Sequence, residues 1–179
     1  YSYENRDNKA FPTLGMEFNL QAGYKSNLEA SNGYGYLVPS LAINYKLSSS
    51  GQLVLATKLK GHLTIGDDFE FYQGASLGAS DGLRGYRNQR FTGKSAFYQT
   101  TDVRLNLRKV KTGLLPLNIG IYGGVDYGRV WLKAENSDQW NSSIGGGVFF
   151  NGADMITGNI SAFNSDDGLR LSFKVGFGF

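Results

Sequence analysis

Eight stretches of this chain alternate apolar and polar residues with a period of two, and the first three are long for globular strands. Successive side chains of a strand point to opposite faces, so such a stretch can only settle as a strand with one apolar and one polar side. Residues 13–25 set Leu14, Met16, Phe18, Leu20, Ala22 and Tyr24 against Glu17, Asn19 and Gln21. Residues 36–47 and 52–66 follow, with Leu41, Ile43 and Tyr45, then Leu55, Leu59 and Leu63, against Asn44, Lys58, Lys60 and His62. The pattern resumes with Val103, Leu105 and Leu107 against Asp102 and Arg104, then with Ile119, Ile121 and Val125 against Gly120, Gly124 and Asp126. Residues 140–150, 154–163 and 168–179 complete the set, the last with Leu169, Leu171, Phe173, Val175, Phe177 and Phe179 on one side.

The connections differ in kind. "KLSSSGQ", "RKVKTGLLPL" and "FNGADM" are short, whereas "KSNLEASNGYGY", "KAENSDQWN", "FNSDDG" and residues 67–94 are longer or more polar. An even number of antiparallel strands with short turns at one end and long loops at the other describes an outer-membrane barrel. The expectation is an all-β fold: a single domain over 1–179, forming an eight-stranded antiparallel transmembrane β-barrel. Residues 1–12 are expected to be a periplasmic amino-terminal segment, with both chain ends on the periplasmic side.

Composition narrows the alternatives. No window approaches the roughly 20 apolar residues of a spanning helix. The absence of cysteine removes disulfides, zinc–thiolate sites and thiol catalysis. A net charge of +3 with scattered basic residues gives no nucleic-acid footprint. No cofactor or metal is expected, since one histidine and dispersed aspartates such as Asp67, Asp68, Asp166 and Asp167 read as solvated loops.

A soluble barrel of lipocalin type would alternate too, with its apolar face inside. Three features favour lipid. The apolar face carries no charge through the middle of any run and is bulky for an eight-stranded interior. The opposite face is rich in glycine and charge, with Gly120, Gly124, Gly128, Gly145 and Gly147 beside Lys58, Lys60, Arg104 and Asp126. Tyr24, Tyr45, Phe97, Tyr127, Trp131, Trp140, Phe150 and Phe179 gather near strand ends, as aromatic girdles do.

The loop "GLRGYRNQRFTG" then needs a place. With the turn "TGLLP" centred on Leu114, Asp102 and Asp126 become a cross-strand pair facing inward. Like charges so placed destabilise a sheet unless a cation intervenes. Arg84, Arg87 and Arg90 stand in the preceding loop, and a guanidinium forks to carboxylates. The spacing predicts that the 67–94 loop enters the lumen and sets Arg84 between Asp102 and Asp126. Chemistry alone leaves open solvated lumen charges beneath an exposed flap.

"GLRGYRNQRFTGKSAFYQTTDVRLNL" resembles the signature loop and following strand of the BamA and TamA superfamily of outer-membrane assembly and secretion proteins. Leu83, Arg84, Gly85 and Tyr86 match its core motif, and the resemblance implies that Arg84 contacts Asp102 and Asp126. "ENRDNKAFPTLG", "GVDYGRVW" and the terminal "FKVGFGF" are similar to other parts of such barrels. The last implies an insertion signal in Phe173, Val175, Phe177 and Phe179. The resemblance covers the second half of the family's barrel, without POTRA sequence, so it implies a short POTRA-less member or a carboxy-terminal half. Insertion of membrane proteins or translocation across the outer membrane is the expected work. The expected partners are outer-membrane lipid, the assembly machinery and a client or partner protein. An enzyme is not expected; the alternatives are a small outer-membrane lipid-acting enzyme using His62 with Ser76 or Ser80, or a narrow pore.

Overall fold

A computed structural model of the chain describes residues 1–9, 11–27, 32–66, 70–111, 116–132, 139–152 and 156–176. One antiparallel sheet of nine strands dominates it, in the order β1 (Ser2–Arg6), β2 (Gly15–Asn27), β3 (Asn32–Lys46), β4 (Leu53–Ile65), β7 (Ser95–Lys111), β8 (Pro116–Trp131), β9 (Asn141–Gly152), β10 (Ile156–Ser165) and β11 (Gly168–Gly176). β5 (Ala75–Leu77) and β6 (Phe91–Gly93) form a separate ribbon inside the long loop, preceded by a 3-10 turn at Phe71–Gln73.

The eight alternating stretches correspond to β2, β3, β4 and β7 to β11. The strand at Ser2–Arg6 was not expected. It is short and carries Glu4 and Arg6, so no apolar alternation announces it, and it pairs with β2 from Ser2 opposite Asn19 to Arg6 opposite Gly15. Tyr1 consequently stands beside Leu20, to whose carbonyl its amino group donates, midway along β2 and away from the short-turn end. Among the described residues β1 and β11 do not pair, so the observed sheet has two outer edges in place of an eight-stranded closure. "FNSDDG" is a tight reversal: Ser165 pairs with Gly168, leaving only Asp166 and Asp167 between the strands.

The sheet's two faces differ as the alternation demands. Met16, Ile43, Val103, Ile121, Val125, Ile144, Val148, Ile160, Leu171, Phe173 and Val175 are all exposed on the outer face. Phe177 and Phe179 lie outside the described residues. On the inner face, four large aromatics each pair with a glycine of the neighbouring strand: Tyr98 with Gly128, Tyr122 with Gly147, Phe149 with Gly120 and Phe163 with Gly145. A Cβ on Gly120 would stand 2.3 Å from the Phe149 ring, so the missing side chain is what admits the aromatic. Tyr122, Phe149 and Phe163 form a buried cluster with Phe11, from the β1–β2 connection, and the Phe11 and Phe149 rings lie 5.0 Å apart.

Candidate functional site: the arginine loop on the inner face

The β7–β8 register decides how the acids meet. Near the turn Lys109 pairs with Asn118, and a bulge at Leu107 moves the register one residue further. Asp102 therefore faces Gly124, and Asp126 faces Thr100, which corrects the directly opposed pair expected from a turn centred on Leu114. Residues 112–115 lie outside the described set. The acids remain diagonal neighbours on one face, where a single forked cation can reach both.

Arg84 occupies that position. Its Nη2 donates to Asp102 Oδ1 at 2.7 Å and to Asp126 Oδ1 at 2.6 Å, Nη1 donates to Asp102 Oδ2 at 3.1 Å, and Nε donates to Asp126 Oδ1 at 2.9 Å. The Arg84 backbone amide and the Ser143 hydroxyl donate to Asp126 Oδ2 at 2.8 and 2.7 Å, so this buried carboxylate is ringed by donors. The guanidinium carbon stands 4.1 Å from the Phe163 ring centre, adding a cation–π contact. Burial alone would lower the pKa of Arg84; the bonds it donates to Asp126 and Asp102, with their negative charge, outweigh it and hold the pKa above the ordinary arginine value.

The neighbours of Arg84 seat the rest of the loop. Leu83 and Tyr86 are fully buried, in a cluster with Ala75, Leu77, Ala96 and Tyr98. The Gly85 amide donates to Ser143 Oγ, the Gly85 carbonyl accepts from Ser165 Oγ, and Tyr86 Oη donates to the Ser142 carbonyl. Lys174 Nζ donates to the Ala79 carbonyl, and Lys60 lies 3.9 Å from Asp81. One loop thus touches β4, β7, β8, β9, β10 and β11, which requires the sheet to curl around it. Gly82 marks the close approach: its φ is +84°, and a Cβ there would fall 2.1 Å from the Tyr98 ring. Arg90 pairs with Asp167 at 2.7 Å on the exposed rim, and Arg87 is exposed.

Two further groups escaped sequence reasoning. Arg104 is buried and donates to the Asn44 side chain and the Pro12 carbonyl, with its guanidinium 4.9 Å from the Phe11 ring centre. Asp7, at the same end, accepts from the Thr13 hydroxyl and from the Thr13 and Leu14 amides. These contacts tuck Phe11 against the inner face, but a loop aromatic carries no periodicity to reveal it. Among the described residues no hydrogen bond joins His62 to Ser76, Ser80 or a carboxylate, and no three acidic or histidine side chains group to hold a metal ion.

Residues 13–151 match a family model described as haemolysin secretion/activation protein ShlB/FhaC/HecB. Among solved structures, the crystal structure of BamA from Haemophilus ducreyi lacking POTRA domains 1–3 is similar in fold, with a TM-score of 0.74 at 18% sequence identity. The likeness covers 97% of this chain and 40% of that one, so the chain spans well under half the length of the protein it resembles. No curated protein matches the sequence.

Proposed function

Since this chain belongs to the haemolysin secretion/activation family ShlB/FhaC/HecB, whose members are outer-membrane β-barrels of protein transport, we propose that it serves translocation of a partner polypeptide across the outer membrane. The short turns face the periplasm, and the 67–94 loop sits in the lumen, locked by Arg84 between Asp102 and Asp126. The observation that carries this reading is the family match over 13–151. The arrangement of the inner face supports the lock, since Leu83, Tyr86 and Asp126 are all buried beneath or within the loop. Insertion of membrane proteins is the second reading, favoured by the fold shared with BamA. Closure into a barrel, with β1 and β11 meeting directly or through further strands, belongs to the proposal as well.

Vesicles containing the refolded chain test the transport. An unfolded, fluorophore-labelled polypeptide added outside should become protease-protected in them and not in empty vesicles. Equal protection in both would overturn the proposal. Planar bilayers test the seated loop separately: a lumen so filled conducts poorly, and open ohmic pores of porin size would refute it.

A further inference from the structure

Pro39 breaks a rule of sheets. Proline cannot donate to the ladder and is ordinarily confined to edges, strand starts or bulges, yet Pro39 sits within β3 between β2 and β4. Leu20 pairs with it on one side, whereas the β3–β4 pairing passes from Leu37–Leu63 directly to Ser40–Lys60. Gly61 lies across this interruption and offers no side chain. Together they open a groove of about 540 Å³ on the outer face, lined by Phe18, Leu41, Leu59, Leu63, Phe97 and Trp131. Sites where a well-formed sheet departs from local rules are where function is to be sought.

The groove runs from the long-loop rim at Trp131 toward Phe18 in the body of the sheet, the direction an acyl chain takes from its headgroup. At the rim, Phe97 pairs with Arg129 across the strands. The Arg129 guanidinium carbon lies 5.1 Å from the Trp131 ring centre and 5.9 Å from that of Trp140. Tyr127 stacks on Trp140 with ring centres 4.4 Å apart. By the alternation and register of the strands, Arg129 stands on the outer face of the sheet, at the long-loop end of β8 beside Phe97 and Trp131. A cation set in an aromatic girdle at the end of an apolar groove complements an anionic headgroup above a hydrocarbon chain.

We propose that the Pro39–Gly61 groove binds one acyl chain of a phosphate-bearing anionic membrane lipid, whose phosphate is held by Arg129. This site lies on the face opposite the arginine loop and does not depend on what the protein transports.

The molecule carries its own probe, because its two tryptophans, Trp131 and Trp140, both stand at the rim. Trp140→Phe isolates Trp131, which lines the groove. The full chain is refolded into phosphatidylcholine vesicles containing a minor fraction of acyl-brominated phosphatidylglycerol or, in parallel, of acyl-brominated phosphatidylcholine. The anionic bromolipid should quench Trp131 at about one-tenth the mole fraction needed by the zwitterionic one, a preference within reach of one charge-assisted hydrogen bond. Arg129→Gln should abolish the preference. Gly61→Leu should weaken quenching by the anionic lipid while keeping the charge; its Cβ approaches Pro39 no closer than 3.4 Å, an ordinary contact. Equal quenching of the otherwise unchanged chain by both lipids overturns the proposal, even if neither variant folds. Quenching by neither means that protein covers the groove, and overturns it as well.

Discussion

Replacing Arg84 with alanine removes a side chain that makes five hydrogen bonds of 3.2 Å or less to two carboxylates. Asp126 would keep the Arg84 amide and the Ser143 hydroxyl, so its buried charge stays partly compensated. Among the described residues Asp102, whose side chain is only 19% exposed, forms an ion pair with Arg84 alone. Breaking one side of a buried pair costs about 3 to 5 kcal/mol, because a charge is left behind in a poor solvent. The Arg84 side chain is itself 16% exposed, so solvent screening removes little of that. We expect Arg84→Ala to lose about 3 to 5 kcal/mol in urea unfolding of the refolded chain, read by loss of the heat-modifiable SDS-PAGE band and by tryptophan fluorescence. Asp102→Asn in the Arg84→Ala background should recover part of the loss, since it removes the stranded charge. A loss below about 1 kcal/mol, the range of exposed ion pairs, would show that the site is solvated and refute the reasoning.

Two other predictions concern the sheet and the closing connection. A Cβ on Gly124 would stand 1.9 Å from Asp102 Oδ1 and 2.8 Å from Arg84 Nη2, whereas one on Gly123 meets nothing within 3.8 Å. Gly124→Ala should therefore cost about 1 to 3 kcal/mol in the same urea assay, with Gly123→Ala close to neutral. Burial raises the pKa of Asp7, but bonds from the Thr13 hydroxyl, the Thr13 and Leu14 amides and Lys46 outweigh it, leaving the pKa at about 2 against an ordinary 3.8. Its contribution to stability is thus present above the unfolded value and lost as pH falls through the folded one. Unfolding midpoints of the unmodified chain should drop more between about pH 5 and pH 2 than those of Asp7→Asn, and equal drops would remove Asp7 from the account.

What the sequence made legible and what it hid have separate physical origins. Alternation located the eight long strands because lipid-facing positions tolerate only apolar side chains, and it set Asp102 and Asp126 on the polar face. It did not reveal their register, because Lys109 already pairs with Asn118 near the turn and the Leu107 bulge moves the pairing one residue further, and neither step changes the face on which Asp102 and Asp126 stand. The inner aromatics were hidden for a different reason. Tyr122, Phe149 and Phe163 occupy positions that otherwise hold glycine, serine or charge, so they read as exceptions to a polar face. Their signal was present in the glycines: each lies opposite one, and an aromatic packed over a cross-strand glycine is a recurrent way to fill the missing side chain. Phe11 had no such mark, since a connection lacks both register and periodicity.

This inner surface also decides whether the loop is a removable plug or part of the fold. The room left by Gly120, Gly124, Gly128, Gly145 and Gly147 is filled in part by the sheet's own Tyr98, Tyr122, Phe149 and Phe163 and in part by side chains of the loop. Leu77 lies 3.1 Å from where a Gly128 Cβ would be, and Asp102 Oδ1 together with Arg84 Nη2 occupies the space left by Gly124. Lifting the loop would bare Leu77, Leu83 and Tyr86, all at most 1% exposed, and leave Asp126 without its guanidinium. Such a loop should melt with the sheet and not before it. Unfolding of the refolded chain followed by far-ultraviolet circular dichroism, which reads the strands, should coincide with that followed by a fluorophore on Asn88→Cys, which reads the exposed tip of the loop. An earlier transition at the tip would mean that the loop opens while the strands persist, and a transport route through a vacated lumen would then be open to the partner. Coincident transitions would require the partner to pass with the loop in place, or to supply contacts that replace those the loop gives up.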